Sequence, residues 1–355
     1  MTSRASRSPR LAVAAPPFVP PYPPSAFDRL TDWVDRLPLP AWTTYLGIAL
    51  TGVAFMAVLR LAGAVEPGGD YTDFVTVIQP WFAFGAMHYL DRMAGAALDA
   101  TRSLLRVSPE EQASLRYRLT NLPARSVRWA LAVGAAFWLL LVFGFSDYFL
   151  ASARTPLGLV VTTAAGALNI TLFPIFVVHT FHQLRTINDL LSRRVRADLF
   201  HLRPLYAFSN LTALTAAVWI LSGAAWFFFS QPTEGAIGVQ VVWTAFDVVL
   251  AAFIFLSPLS GIHRLLVQRK GEALAEVARH KQAAYARLHL ILERGRSASV
   301  DAAHKGLAAL EMEAADLHRI PTWPWSPGTP RGVAAAVFLP VIIWLVQFGL
   351  QRLLG

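Results

Sequence analysis

The chain has no cysteine among its 355 residues. That removes disulfides, thiolate metal sites and cysteine nucleophiles together, and with them any CxxCH haem attachment. Charge is also scarce: Asp, Glu, Lys and Arg make up 15% of the sequence, where a soluble domain carries about a quarter. No GxSxG, Walker A loop, GxGxxG or HExxH occurs, and no apolar segment holds a pair of carboxylates. These absences predict a protein that is not an enzyme and has no cofactor and no metal. Matched halves with Gly- or Pro-broken spans, the mark of many duplicated transporters, are missing as well.

Apolar side chains are abundant, at 55% of the residues, and the mean hydropathy is +0.46. They occur in blocks rather than at a period of 2 or 3.6 residues, the pattern of a chain that uses lipid as solvent. The reading is therefore all-α: a polytopic helical membrane protein in which each span needs about 20 apolar residues. Blocks of that length are Ala41–Gly63, Tyr71–Leu90, Val127–Phe149, Pro156–His179, Ala207–Ser230, Ala236–Pro258 and Gly332–Leu350. The second is the most polar, with Gln79-Pro80 inside it.

Basic residues test the count, because cytoplasmic loops collect Lys and Arg. Seven spans with the N-terminus in the cytoplasm and the C-terminus outside leave only Arg60, Arg154 and Arg352 of the 31 on the outer face. If 71–90 does not cross, the better arrangement is six spans with an outside N-terminus, at 24 inside to 7 outside. Seven spans fit best. The net charge of +9 then belongs to membrane topology and calls for no nucleic-acid partner; the expected partner is the lipid bilayer of the cell membrane.

The domain layout follows. Residues 1–40 read as a Pro-rich, disordered cytoplasmic tail, extended through APPFVPPYPP, followed by an interfacial helix with Phe27, Leu30, Trp33 and Leu37 on one side. Residues 41–260 hold spans one to six with helical cytoplasmic loops at 92–126 and 180–203. In the first loop Ser108 is placed to N-cap a helix with Glu110 and Glu111 in its first turn. The fourth span has no helix breaker until Pro204. Residues 261–331 form a long cytoplasmic helix over 262–297 that continues the sixth span, a further helix over 298–318, and the rigid linker IPTWPWSPGTP, whose Trp323 and Trp325 suit a membrane boundary. Residues 332–355 make the final span. Such extensions suit a packed platform for oligomerisation or gating as well as plain solvated helices.

Asp247 stands in the middle of VVWTAFDVVLAAF. A carboxylate there costs roughly 2.5–3.5 kcal/mol on insertion scales, so it should face a pore, a cavity or a neighbouring helix. It reads as an ion-pathway or proton-relay group, or as a protonated packing residue. No central Lys or Arg can neutralise it, which leaves Gln79, Asn169, Thr171 and Thr215 as uncharged partners. His88, His179 and His182 sit near the cytoplasmic ends of their spans, where histidine is ordinary. In the last span Pro340 permits a hinge, and Gln347 lies towards the outer end.

This layout resembles the insect odorant and gustatory receptor channels. Their last helix carries Thr-Tyr, five hydrophobic residues and Gln-Phe; here Ile342–Val346 and Gln347-Phe348 match the second part, and Pro340-Val341 stands in place of Thr-Tyr. The resemblance implies a homo-oligomer, a tetrameric cation channel anchored by its cytoplasmic helices, with the last span lining the pore around Gln347. The sequence expectation is an oligomeric channel- or receptor-like membrane protein. The alternatives are a secondary transporter that uses Asp247, and a non-catalytic scaffold or accessory subunit of a membrane complex.

Overall fold

The computed structural model describes residues 18–65, 72–105, 107–144, 154–195, 198–229, 237–294, 297–326 and 328–335, with 338 and 342. The described residues are helical and contain no strand, only isolated bridges between Pro24 and Pro123 and between Leu105 and Val195. The helices are α1 (Ala26–Asp35), α2 (Ala41–Leu61), α3 (Thr72–Ala100), α4 (Pro109–Thr120), α5 (Ala124–Gly144), α6 (Pro156–Arg193), α7 (Tyr206–Phe229), α8 (Ile237–Leu256), α9 (Ser260–Glu293) and α10 (Ser297–Arg319). By length and composition, α2, α5, α6, α7 and the α8–α9 pair are long and apolar enough to cross a membrane. Their outer faces carry Leu50, Phe55 and Val58 on α2, Leu140 and Phe143 on α5, and Val249 and Phe253 on α8, all exposed. Faces this apolar are stable only against lipid or another protein.

Local chemistry sets the helix ends. Ser25 caps α1 and Ser108 caps α4, each in a reciprocal capping box, with Asp28 and Glu111 at the third position. Thr155 caps α6 through Gly158 N, and Pro156 follows at the first turn.

Helix α3 is the hub, packing against α2, α4, α6 and α7, while α5 covers α6 and α8 covers α7. Its face Met87, Leu90, Ala94 and Leu98 meets Phe176, Ile187 and Leu190 of α6 and Phe208 and Leu211 of α7 in the buried core. Cross-helix contacts fix the directions. On α3, Gln79 meets Asn169 and Asp91 meets His179, so α3 and α6 run parallel. Tyr45 on His88 with Gly52 on Val77 makes α2 antiparallel to α3, and Gly134 on Thr171 with Trp138 on Gly166 does the same for α5 and α6.

Several expectations are refined. Helix α3 runs unbroken through Pro80 for 29 residues, although it is the most polar of the expected spans. Helix α6 ends at Arg193 rather than continuing to Pro204, its end capped by the Arg194 N–H on Leu190 O. Between α8 and α9 a 3-10 turn, Ser257–Leu259, forms around Pro258, so the long helix is two joined pieces. Trp33 of α1 faces outward, and Phe27 and Val34 supply its buried apolar contacts. Pro340 and Gln347 lie outside the described residues.

The 320–330 linker is a packed element. His263, Trp323, Trp325 and Phe255 form a continuous stack, with His263 and Trp323 centroids 4.0 Å apart and Trp323 and Trp325 4.5 Å apart. Lys270 donates to His318 O and Ile320 O, and Thr329 donates to Asn210 Oδ1 at 2.9 Å. The linker thereby ties the start of α7 to the end of α8, which makes these two helices antiparallel.

Helix α5 reaches α6 through glycine. A Cβ on Gly134 would stand 2.6 Å from Thr171 O, beside the stretch where Pro174 cannot donate to Ile170 O. Gly134→Val should therefore cost about 1–3 kcal/mol of stability, read from thermal unfolding in detergent by tryptophan fluorescence. Gly144→Ala, with nothing near its Cβ position, should stay within about 0.5 kcal/mol of the parent.

Candidate functional site

Polar side chains buried between apolar helices form two tiers along α3. The first begins with a backbone defect. Pro80 has no N–H for Thr76 O, and Asn169 of α6 supplies the missing donor: its Nδ2 gives hydrogen bonds to Thr76 O at 3.0 Å and to Gln79 Oε1 at 3.1 Å. Gln79 Nε2 donates to Ser222 Oγ of α7 at 3.0 Å, and Trp226 Nε1 donates to Gln79 Oε1. One glutamine thus joins three helices beside a small hollow between Pro80, Phe84, Asn169 and Phe173.

Asp247 is next to this tier without belonging to it. Its carboxylate lies against Gly223, where a Cβ would overlap it. The sequence expectation grouped Gln79, Asn169, Thr171 and Thr215 around Asp247. Instead Asn169 bonds to Gln79, Gln79 bonds on to α7, Thr171 turns its backbone to Gly134, and Thr215 bonds back to Leu211 O of its own helix. Asp247 has no hydrogen-bond partner among the described residues; Gly223, which it lies against, is the chain neighbour of Ser222 in the tier.

The second tier is 12 residues further along α3, about 18 Å at helical rise. Between the tiers, Trp219 Nε1 donates to Thr180 Oγ1 at 2.9 Å, and its indole stacks on Phe176. Asp91 Oδ1 then accepts from His179 Nε2 at 2.8 Å and from Gln183 Nε2 at 3.3 Å. All three side chains are buried. Among the described residues His179 Nδ1 and Gln183 Oε1 have no partner, so the pair is held from one side and keeps one open nitrogen. Next to it is a second histidine–carboxylate pair. His88 Nε2 meets Asp35 Oδ1 at 3.1 Å while its Nδ1 meets Tyr45 OH at 3.2 Å, and Arg92 also donates to Asp35.

The N-terminal residues close this end. Asp28 is buried and accepts from Ser25 N at 2.6 Å and from Leu122 N at 3.2 Å. Burial pushes its carboxyl above the usual carboxylate range, against the pull of these N–H donors and of His179. Tyr22 OH donates to Asn121 O at 2.8 Å and sits 3.3 Å from His182 Nε2, which donates to Arg118 O; burial raises the Tyr22 phenol. Among the described residues no group of three His, Asp or Glu side chains is placed to hold a metal ion.

Sequence reasoning found Gln79, Asn169 and the histidines one by one, and missed Asp91, Gln183, Asp28 and Asp35. A usable signal was there. Gln79, Ala83, Met87 and Asp91 recur every four residues on one face of α3, and Thr180 and Gln183 flank His179 and His182 on α6.

The two kinds of bond in the first tier differ in consequence. Asn169→Leu strands a carbonyl in an apolar interior and should cost about 1–3 kcal/mol. Ser222→Ala removes one interhelical hydrogen bond, for which about 0.6 kcal/mol is typical. Thermal unfolding of both variants in detergent checks that order.

Compared with models of protein families, with curated proteins and with solved structures, the chain matches none of them.

Proposed function

We propose that this protein is a multi-pass membrane protein that moves protons across the bilayer, alone or coupled to a solute, along the polar seam between α3, α6 and α7. The carrying observation is the buried Asp91–His179 pair with its open Nδ1, on the same α3–α6–α7 seam as the Trp219–Thr180 hydrogen bond and the Asn169–Gln79–Ser222 bonds. Isolated ionisable groups are expensive between apolar helices, and those found there commonly serve ion or proton pathways. Imidazole can take up a proton and a carboxyl group can give one up in the physiological range when their surroundings are tuned for it. In this reading Asp91 and His179 form the proton-holding site, Gln79 and Asn169 are the polar bridge, and Asp247 is the station at the far tier.

The same reading takes seven spans, with the N-terminus cytoplasmic and the C-terminus outside. Support comes from the alternation of α2, α3, α5, α6, α7 and α8, which brings α4, the α9–α10 hairpin and most of the basic residues to one end. That end would face the cytoplasm, and α4, α9 and α10 would be the cytoplasmic extensions.

A second reading, the oligomeric cation channel with its tetrameric resemblance, is favoured by the hairpin. Tyr285, Leu290 and Leu292 of α9 and Met312 of α10 are exposed apolar side chains that subunit contacts would cover. Gln347 and Pro340 would then line the pore. The scaffold reading has no observation of its own.

Flux in liposomes tests the proposal. Purified protein is reconstituted with an internal pH dye, and a potassium gradient with valinomycin sets the potential. Proton entry should exceed that of protein-free vesicles, fall about a hundredfold in Asp91→Asn and in His179→Gln, and fall in Asp247→Asn. Wild-type vesicles no different from protein-free ones would overturn the proposal.

A further inference from the structure

The buried Asp91–His179 pair has a cover made from a separate part of the chain. Residues 20–35 run across α3 at Phe84, His88 and Arg92, across α6 at His179 and His182, and across the turn between α4 and α5. Pro24 forms a bridge with Pro123, Tyr22 OH donates to Asn121 O, and Tyr117 OH donates to Tyr22 O at 2.8 Å. Leu122 N donates to Asp28, and Asp35 meets His88 and Arg92. In the middle the Phe27 ring lies edge-on to His179, with centroids 6.3 Å apart, and against Phe84 at 5.2 Å. Asp28 is close enough to act on His179 electrostatically.

How this segment is held matters as much as where it lies. Its buried apolar contribution is mainly Phe27 and Val34; the rest is hydrogen bonds and ion pairs, several at exposed side chains such as Arg92 with Asp35. Segments with little buried apolar area and many polar attachments open at a fraction of the global unfolding free energy. Prolines stand at 20, 21, 23 and 24 before its helix α1 and at 38 and 40 after it, so it meets the bundle as a short capped helix between stiff, non-helical arms. Beneath it are two buried polar atoms without partners among the described residues, His179 Nδ1 and Gln183 Oε1. Both are groups that a water molecule would satisfy once admitted.

We propose that residues 20–35 are a strap that seals the Asp91–His179 pair from water and must lift before the pair can exchange protons with the adjoining solution. The inference rests on the proton-carrying reading for its purpose, but the sealing itself is testable without transport. Phe27 is the plug and Asp28 the latch; neither is hydrogen-bonded to the Asp91 carboxylate.

The absence of native cysteine makes the test direct. The double variant Pro24→Cys/Pro123→Cys places thiols at paired bridge positions, close enough for a disulfide. The full chain in detergent is treated with diethyl pyrocarbonate, and modification of His179 and of exposed His304 is followed by peptide mass spectrometry. The oxidised, cross-linked protein should label His179 about tenfold more slowly than the same protein after reduction, and Phe27→Ala about tenfold faster than wild type. His304 should label equally in all, which reports an intact fold and a common reagent dose. Equal His179 rates in the oxidised, reduced and Phe27→Ala proteins would overturn the strap. The flux assay separates the two proposals: strap-dependent labelling with no wild-type proton flux defeats the proton reading and leaves the seal standing. Flux that collapses on oxidation and returns on reduction joins the two.

Discussion

A proline in the middle of a helix inside an apolar bundle leaves a carbonyl without its donor, and everything around α3 depends on how that defect is repaired. Asn169 repairs it from the neighbouring helix, bonding both Thr76 O and Gln79 Oε1. The repair lets α3 continue through Pro80, and its second bond orients Gln79 towards Ser222 and Trp226 of α7. One amide therefore sets the register of α3 against α6 and, through Gln79, against α7. Register at this tier brings Asp91 opposite His179 three turns on.

The helices outside this trio are held differently. Glycine and aromatic contacts join α5 to α6, and small-residue approach lets α8 lie on α7 with its carboxylate on Gly223. Between lipid-facing helices close backbone contact replaces the hydrophobic effect as the driving force. Polar bonds concentrate in the centre of the bundle and close packing at its edge. This division explains why the polar groups line up in a seam, since only between α3, α6 and α7 are there enough partners to satisfy them. The strap at one end follows the same logic. It is polar, lightly packed and made of residues that precede the first long helix.

Much of the fold was legible from apolar block length alone: α2, α5, α7 and α8 start and stop within a few residues of the expected spans, α6 starts at Pro156 as expected and runs on past His179 to Arg193, and Ser108 announced α4. The polar character of 71–90 obscured α3, because hydropathy scores a residue without its neighbours, and Gln79 and Asp91 are matched by residues about 90 positions away or further. The early end of α6 was hidden for a related reason. No proline or glycine marks Arg193; the chain turns there to bridge Val195 with Leu105. Asp247 drew attention as the central charge, yet its neighbour is a glycine, a contact that leaves no trace in composition. Asp28 and Asp35 looked like the polar side of an interfacial helix, and their buried roles depend on the α4–α5 turn and on His88.

In the proposed arrangement α3, in spite of its proline and polar face, passes through the bilayer as the hub of the bundle. Single cysteines in the cysteine-free chain test it most directly, one at Thr72 at the start of α3 and one at Asp99 near its end, labelled in intact cells with a membrane-impermeant maleimide. The account predicts that the cysteine at 72 reacts from outside and that the one at 99 reacts only after the membrane is opened. Labelling of both from the same side would contradict it, and with it the transmembrane course of the polar seam.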